Sequence, residues 1–172
     1  MTKKQTGSHF IIRSGEYEIL TKEWQKQLSD APENARTLAH ETSIRYRAEQ
    51  SKNPLPEEFE RKLEFHDAQI TSAVMEENDL HLYFDHPGYN PFEHNHIVFK
   101  NARIKTKEHE PAGCYFIYYE IYRHFLGYEM HILLWYHEIN KGFDYADLTV
   151  ICEDIVTDTV QREKKKNKKK KK

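Results

Sequence analysis

The spacing of apolar positions changes once along the chain, near Phe65. Before this point apolar residues recur every three or four positions, which is the period of an amphipathic helix. After it they recur every second position, which is the period of a half-buried strand. The pattern therefore predicts an α+β fold in which N-terminal helices are followed by a mainly antiparallel β-sheet.

Three helices are predicted in the first part. Thr21 is a suitable N-cap for a helix around Trp24, which ends at Pro32. A second helix is expected over about 33–50. Pro56 then suits the first turn of a short third helix in "PEEFERKL", where the glutamates favour its positive N-terminal end.

The strands are predicted from alternation and from their content of β-branched and aromatic residues. "NDLHLYFD" alternates regularly. "CYFIYYEIYRHFLGYEMHILLWYHE" predicts a long hairpin that turns near Leu126–Gly127, and "DLTVICEDIVTD" predicts a last strand. We accordingly divide the chain into an N-terminal extension (1–14), one domain made of a helical segment (15–64) and an antiparallel sheet (65–160), and a disordered lysine-rich tail (161–172).

Charge is divided unevenly between the domain and the tail. The 172 residues carry a net charge of −2. Residues 162–172, "REKKKNKKKKK", hold one Arg and eight Lys against one Glu, a charge of +8, and the remainder has 17 basic and 27 acidic residues, a charge of −10. An acidic body suits a basic protein partner, whereas the tail suits weak, salt-sensitive contact with a polyanion.

Other composition signals narrow the class of protein. The longest nearly apolar run, Ile132 to Tyr136, is too short to span a bilayer, so we expect no membrane span and a cytoplasmic protein. Cys114 and Cys152 show no CxxC spacing and lie in apolar alternating segments, which favours reduced core residues over a redox or metal role.

His66 and Asp67 form the first group with chemical potential, at the junction of helix and sheet. A His-Asp pair in a metal-dependent phosphohydrolase lies on a helix with further ligands nearby. Here the pair precedes a strand, where adjacent side chains point to opposite faces. We therefore interpret the pair as a structural junction that bonds backbone groups.

The second group is a set of possible metal ligands in "HLYFDHPGYNPFEHNH". A hairpin in this segment could gather nitrogen and oxygen donors for zinc or another transition metal from His81, Asp85, His86, His94 and His96. Histidines are scattered along the chain, however, and Pro87 and Gly88 indicate a solvent-facing loop. We expect no cofactor and keep the metal site as the alternative.

The third group is a polar row on the long hairpin. Counting by twos from Phe116 places Tyr118, Glu120 and Tyr122 on one face, and Glu129 and His131 could join them from the second strand. Such a row could line a groove, with acid-base chemistry by Glu120 and His131 as an alternative to binding. Tyrosine-rich faces are common at protein interfaces, so we interpret the row as a partner-binding surface.

A family resemblance rests on seven short segments. They are "LTKEW", "FHDAQI", "NDLHLYFD", "IVFKNARI", "GCYFIYYEIY", "GYEMHILL" and "LTVICEDI". Together they resemble an uncharacterised bacterial family, domain-of-unknown-function family 4085, over about residues 18–156. The resemblance implies a bacterial, cytoplasmic, helix-then-sheet protein, and it supplies no established activity and no catalytic residues.

Taken together, these observations favour recognition over catalysis. The sequence has no phosphate-binding glycine loop, no GxSxG elbow and no dinucleotide fingerprint. We expect a non-catalytic protein-binding module, immunity-like or regulatory, whose acidic body faces a basic partner. The alternatives are a metal-assisted hydrolase that uses the histidines of 81–96 and a nucleic-acid-associated protein that binds through its lysine tail.

Overall fold

The computed structural model describes residues 19–161, so the N-terminal extension and residues 162–172 of the tail lie outside it. Three helices come first: α1 (Lys22–Asp30), α2 (Ala35–Gln50) and α3 (Glu57–Arg61). The side chain of Thr21 accepts a hydrogen bond from the backbone N–H of Trp24, which is the predicted N-cap of α1. Helix α2 begins two residues later than predicted.

Eight strands follow in the described part of the chain. They are β1 (Ile70–Glu76), β2 (Asp79–Phe84), β3 (His96–Lys100), β4 (Arg103–Lys107), β5 (Tyr115–His124), β6 (Gly127–Glu138), β7 (Gly142–Cys152) and β8 (Asp154–Asp158). Every strand pair is antiparallel. The predicted α+β class is confirmed, but the strands form two sheets rather than one, in the orders β1-β2-β3-β8 and β4-β7-β6-β5.

A short backbone ladder joins the two sheets. Asp67 and Ile70 donate N–H groups to the carbonyls of Phe116 and Cys114, each at 2.8 Å, and Phe116 donates back to Ala68 at 2.9 Å. The segment before β1 therefore pairs with the beginning of β5. This pairing satisfies backbone groups at an edge strand that would otherwise be open.

One hydrophobic cluster draws on both sheets. Phe65, which is fully buried, stacks on Phe84 of the first sheet with ring centroids 4.4 Å apart and meets the edge of Phe116 of the second sheet at 6.2 Å. Cys114 and Cys152 are buried free thiols in the same cluster, where the sequence placed them. Strand β2 alternates in burial as predicted, because one face of the first sheet turns toward this shared core.

The helices cover the edge strand β5. Trp24 of α1 donates from its indole N–H to the hydroxyl of Thr42 at 2.9 Å and packs edge-on against Tyr118. On α2, the hydroxyl of Tyr46 accepts a hydrogen bond from the backbone N–H of Ile121 at 3.3 Å. A side chain of the helix thus satisfies a backbone group at the edge of the strand. Within residues 19–161, no helix has the length and apolarity needed to cross a membrane.

Removal of the Phe65 ring tests how far the shared core holds the fold together. Phe65→Ala should lower the free energy of unfolding by about 3–5 kcal/mol, because it leaves a cavity between the two sheets. Phe125→Ala is the matched control, since that ring is 87% exposed and should cost less than about 0.5 kcal/mol. Urea unfolding measures both, and equal losses would show that the two sheets do not depend on this contact.

Candidate recognition site

The predicted metal ligands do not converge on one point. His81 Nδ1 lies 3.1 Å from His96 Nε2, and His96 Nδ1 lies 2.7 Å from a carboxylate oxygen of Asp158 on β8. The ring of Tyr83 stacks on His96 with centroids 4.2 Å apart. His81 is thus hydrogen-bonded to His96, and His96 to Asp158, across the first sheet.

The other three predicted ligands are engaged locally. His94 Nδ1 lies 2.8 Å from the hydroxyl of Thr157, and His86 Nδ1 accepts the N–H of Gly88 at 3.0 Å. Asp85 accepts the N–H of Gln69 at 2.9 Å. Among residues 19–161, no group of three or more His, Cys, Asp or Glu side chains is placed so that it could hold a metal ion.

His66 and Asp67 lie at the helix-sheet junction, where the sequence placed them. Asp67 adopts a positive φ of 65°, a conformation that Asp tolerates better than most residues, and its N–H begins the ladder to β5. His66 Nδ1 lies 3.1 Å from a carboxylate oxygen of Asp67, but the geometry does not make a hydrogen bond and that nitrogen is buried without one. The His66 ring lies edge-on to the rings of Tyr89 and Tyr118, with centroids 5.7 and 5.2 Å apart.

The polar row on the hairpin is not an open groove. A β-bulge between Phe116 and Tyr118 shifts the register, so Phe116 enters the core while Tyr118 remains 37% exposed on another side. Counting by twos from Phe116 was therefore wrong across the bulge. Glu120 and His131 are buried, at 0% and 8% exposure, and Glu120 is covered by the segment before α1, whose Ile19 donates its N–H to it.

Glu120 fixes the segment that leads into α1. Both of its carboxylate oxygens lie within 3.0 Å of the backbone nitrogen of Ile19, which donates to them. Burial raises the pKa of Glu120 to about 7, against hydrogen bonds that lower it. Tyr122 also bonds to this carboxylate, and its ring packs edge-on against Tyr46 of α2. Glu120 therefore contacts the chain's own backbone rather than solvent.

Glu129 is engaged inside the second sheet. It lies 3.0 Å from His131 Nε2 and 2.9 Å from the ammonium of Lys105. Burial raises the pKa of Glu129, but the hydrogen bonds from His131 and Lys105 outweigh burial and hold it at about 2. Of the five residues predicted for partner contact, only Tyr118 is more than one-third exposed.

Tyr118 instead belongs to a neighbouring cavity, which we call the tyrosine pocket. It has a volume of about 340 Å³ and lies where α2, α3, the 64–66 junction, the 85–95 loop and β5 meet. Its aromatic lining includes Tyr46, His66, Tyr89, Tyr118 and Tyr119. Its charged lining is Glu60 and Glu64.

The two carboxylates of the tyrosine pocket have no cationic partner among the residues that the structure describes. Within residues 19–161, neither Glu60 nor Glu64 forms an ion pair. Partial burial and the nearby charge of Glu57 raise the pKa of Glu60. Tyr119 donates its hydroxyl to the backbone carbonyl of Glu60 at 3.0 Å, which ties α3 to β5 at this place.

This arrangement is chemically suited to a cation. The faces of tyrosine rings attract an ammonium or guanidinium group, and the attraction grows as water is excluded. A carboxylate whose charge is partly desolvated and uncompensated gains further from such a partner. A larger cleft of about 790 Å³ lies over β7, but its lining already includes two cations, Lys22 and Lys26, and Lys22 pairs with Glu108. The tyrosine pocket is therefore the better candidate for binding.

The sequence did not single out this pocket. Its residues come from four separate predicted elements. Tyr46 lies in the second predicted helix and Glu60 in the third, whereas Tyr89 lies in the predicted solvent-facing loop and Tyr119 on the predicted hairpin. The only signal was the density of tyrosine and glutamate in separate segments. Their meeting depends on the ladder that brings the 67–70 segment beside β5.

Glu120→Gln should alter the pH dependence of stability. The folded pKa of about 7 lies above the usual 4.5, so stability is lost as pH rises from about 4.5 to 7 and Glu120 must ionise while buried. Gln keeps the acceptor for Ile19 but does not ionise. Relative to wild type, the variant should gain on the order of 2–3 kcal/mol between pH 5 and 8, measured by urea unfolding. The exposed control Glu33→Gln should show a constant difference, and the same result for Glu120→Gln would contradict the assignment.

Comparison with known protein families identifies the family of the chain. The family described as "Protein of unknown function (DUF4085)" matches residues 13–140, about three quarters of the chain. The match begins before the predicted residue 18 and ends before the predicted residue 156, so β7 and β8 lie beyond it. No curated protein and no solved structure matches the chain. The resemblance seen in the sequence is confirmed, and the chain belongs to the DUF4085 family.

Proposed function

We propose that the protein is a non-catalytic recognition module that binds a basic partner protein and takes one lysine or arginine side chain of that partner into the tyrosine pocket. The observation that carries the proposal is the pair of carboxylates, Glu60 and Glu64, which lie in an aromatic lining and form no ion pair with any residue of 19–161. Charge and ring chemistry select for the same kind of ligand. The partner's cation completes an electrostatic arrangement that the described residues leave open.

The dimensions of the pocket support a side chain as its occupant. A volume of about 340 Å³ is near the lower end of the range for small-ligand pockets. A lysine or arginine side chain delivers a single charge on an apolar stem, which suits aromatic walls around a charged end. Tyr89 is 70% exposed and Tyr118 is 37% exposed, so a partner can reach both rings without rearrangement of the core.

The charge of the whole body supports a protein partner of opposite sign. Residues 1–161 carry −10, and a field of this sign accelerates encounter with a basic surface. Steering acts over about 8 Å at physiological salt. The electric field of the body sets the rate at which the partner protein associates, and the tyrosine pocket determines which side chain of the partner is bound. An immunity-like or regulatory role follows from binding of this kind.

Binding of a defined probe tests the proposal in the full-length chain with the eight lysines of residues 162–172 changed to Gln, so that no basic segment of the chain competes with the probe. The probe is a capped pentapeptide, Gly-Ser-Arg-Ser-Gly, and the comparison probe carries citrulline in place of arginine, which keeps the shape and removes the charge. Glu60→Gln with Glu64→Gln should weaken arginine-probe binding by about fivefold to tenfold, since tenfold corresponds to about 1.4 kcal/mol. Titration followed by NMR shifts of the tyrosine rings gives the affinities.

The matched control removes the same two charges elsewhere. Glu33 and Glu77 are exposed and lie outside the pocket lining, so Glu33→Gln with Glu77→Gln should change binding by less than about twofold, through the general field alone. If both double variants weaken probe binding equally, the pocket carboxylates contribute no more than other acidic surface residues, and the proposal is wrong. Equal binding of the arginine and citrulline probes would also contradict cation recognition.

A further inference from the structure

We propose that the lysine-rich segment, residues 162–172, occupies the tyrosine pocket of its own chain and competes there with the basic partner. The inference rests on the proposed function for the chemistry of the pocket. It adds an occupant that the chain itself supplies. Its grounds are where the described chain ends, how far the segment reaches, and the charges of both.

The described chain ends beside the loop that lines the pocket. Val160 donates its N–H to the side-chain oxygen of Asn95 at 2.8 Å, and the Asn95 amide donates back to the Val160 carbonyl at 3.2 Å. Thr159 donates its hydroxyl to the carbonyl of Glu93 at 3.1 Å. Residue 162 therefore begins within two residues of an anchor on the 85–95 loop.

The same loop is fixed against the pocket wall. The side chain of Asn90 donates to the carbonyl of Lys62, and Gly88, with φ of +59°, lies so close to His66 that a Cβ there would be 2.7 Å from the His66 carbonyl oxygen. Between these two contacts lies Tyr89, which lines the pocket. The anchor of the segment and the rim of the pocket thus belong to one rigidly held loop.

The segment is long enough to reach. From Asn95 back to Tyr89 is six residues, which span at most about 22 Å even if fully extended. The 11 residues of the lysine-rich segment span up to about 36 Å. Its middle lysines can therefore arrive at the pocket while the chain stays anchored at Asn95.

Charge directs the lysines to this pocket rather than to the nearest ring. Phe92, on the same loop, already has the Arg61 guanidinium and the Lys62 ammonium over its ring, at 5.7 and 5.8 Å from the centroid. A third cation there meets like charge. In the tyrosine pocket, Glu60 and Glu64 form no ion pair with the described residues, and the segment brings eight lysines. Tethering gives them an effective concentration on the order of millimolar.

Competition in the full chain tests the inference. The variant changes the eight lysines of the segment to Gln, and the arginine pentapeptide is the probe. If the segment occupies the pocket, the variant should bind the probe about fivefold to tenfold more tightly than wild type. In the Glu60→Gln and Glu64→Gln background the lysine changes should make no difference. An increase of equal size in both backgrounds would assign the effect to the general field and overturn the inference.

A spin label locates the segment without any probe. Burial raises the pKa of Cys114 to about 11 and that of Cys152 to about 12, so a nitroxide reagent at pH 7 labels Asn167→Cys selectively. The label should broaden the NMR signals of Tyr89 and Tyr118, and Glu60→Gln with Glu64→Gln should remove that broadening. Glu33→Gln with Glu77→Gln is again the control and should leave it in place.

The outcomes separate this inference from the proposed function. Probe binding without broadening at Tyr89 and without an effect of the lysine changes would leave the function standing and overturn occupancy by the segment. Broadening in the wild type, together with no probe binding by the chain whose eight lysines are Gln, would support occupancy and contradict recognition of a partner. Mixing labelled unenriched chain with unlabelled ¹⁵N-enriched chain gives the last distinction, because broadening in that mixture would place the segment in a neighbouring molecule and overturn the intramolecular form.

Discussion

The structure depends on the short ladder between residues 67–70 and the beginning of β5. Its hydrogen bonds, from Asp67 to Phe116 and from Ile70 to Cys114, connect the segment before β1 of the first sheet to the beginning of β5 in the second sheet. The ladder carries Phe65 into the position where it stacks on Phe84 and touches Phe116. Because backbone groups away from water must be paired, this connection constrains the register of both sheets at once.

The packing around β5 and β6 separates the acidic groups that are buried from those that stay accessible. Glu120 is enclosed where α1 covers β5. Burial raises the pKa of its carboxyl group, and the hydrogen bond from the N–H of Ile19 lowers it. Glu129 is enclosed as well but keeps its charge through His131 and Lys105. Glu60 and Glu64 lie at the border of the same layer, and there the chain supplies no cation within residues 19–161. The difference between a structural carboxylate and a candidate binding carboxylate is thus the presence of a partner inside the chain.

Two histidines illustrate how neighbouring sequence positions separate in space. His94 and His96 are two residues apart, yet His94 turns to Thr157 while His96 joins His81 and Asp158. Two residues that are two positions apart share a face only when both lie on the same strand. Strand β3 begins at His96, so His94 lies outside it. His66, by contrast, lies beside Tyr118 although 52 positions separate them, because the ladder brings their segments together.

The sequence by itself determined the class of fold, the order of helices and strands, the N-cap at Thr21, the buried cysteines and the family, since each depends on local periodicity, local hydrogen bonding or short motifs. Only the tertiary structure decided that the strands divide into two sheets, that a bulge separates Phe116 from Tyr118, and that the polar row is covered. The tyrosine pocket belongs to the second group, because its walls come from separate segments. Periodicity reports which face of an element is apolar, whereas the identity of its neighbour depends on long-range pairing that no local pattern contains.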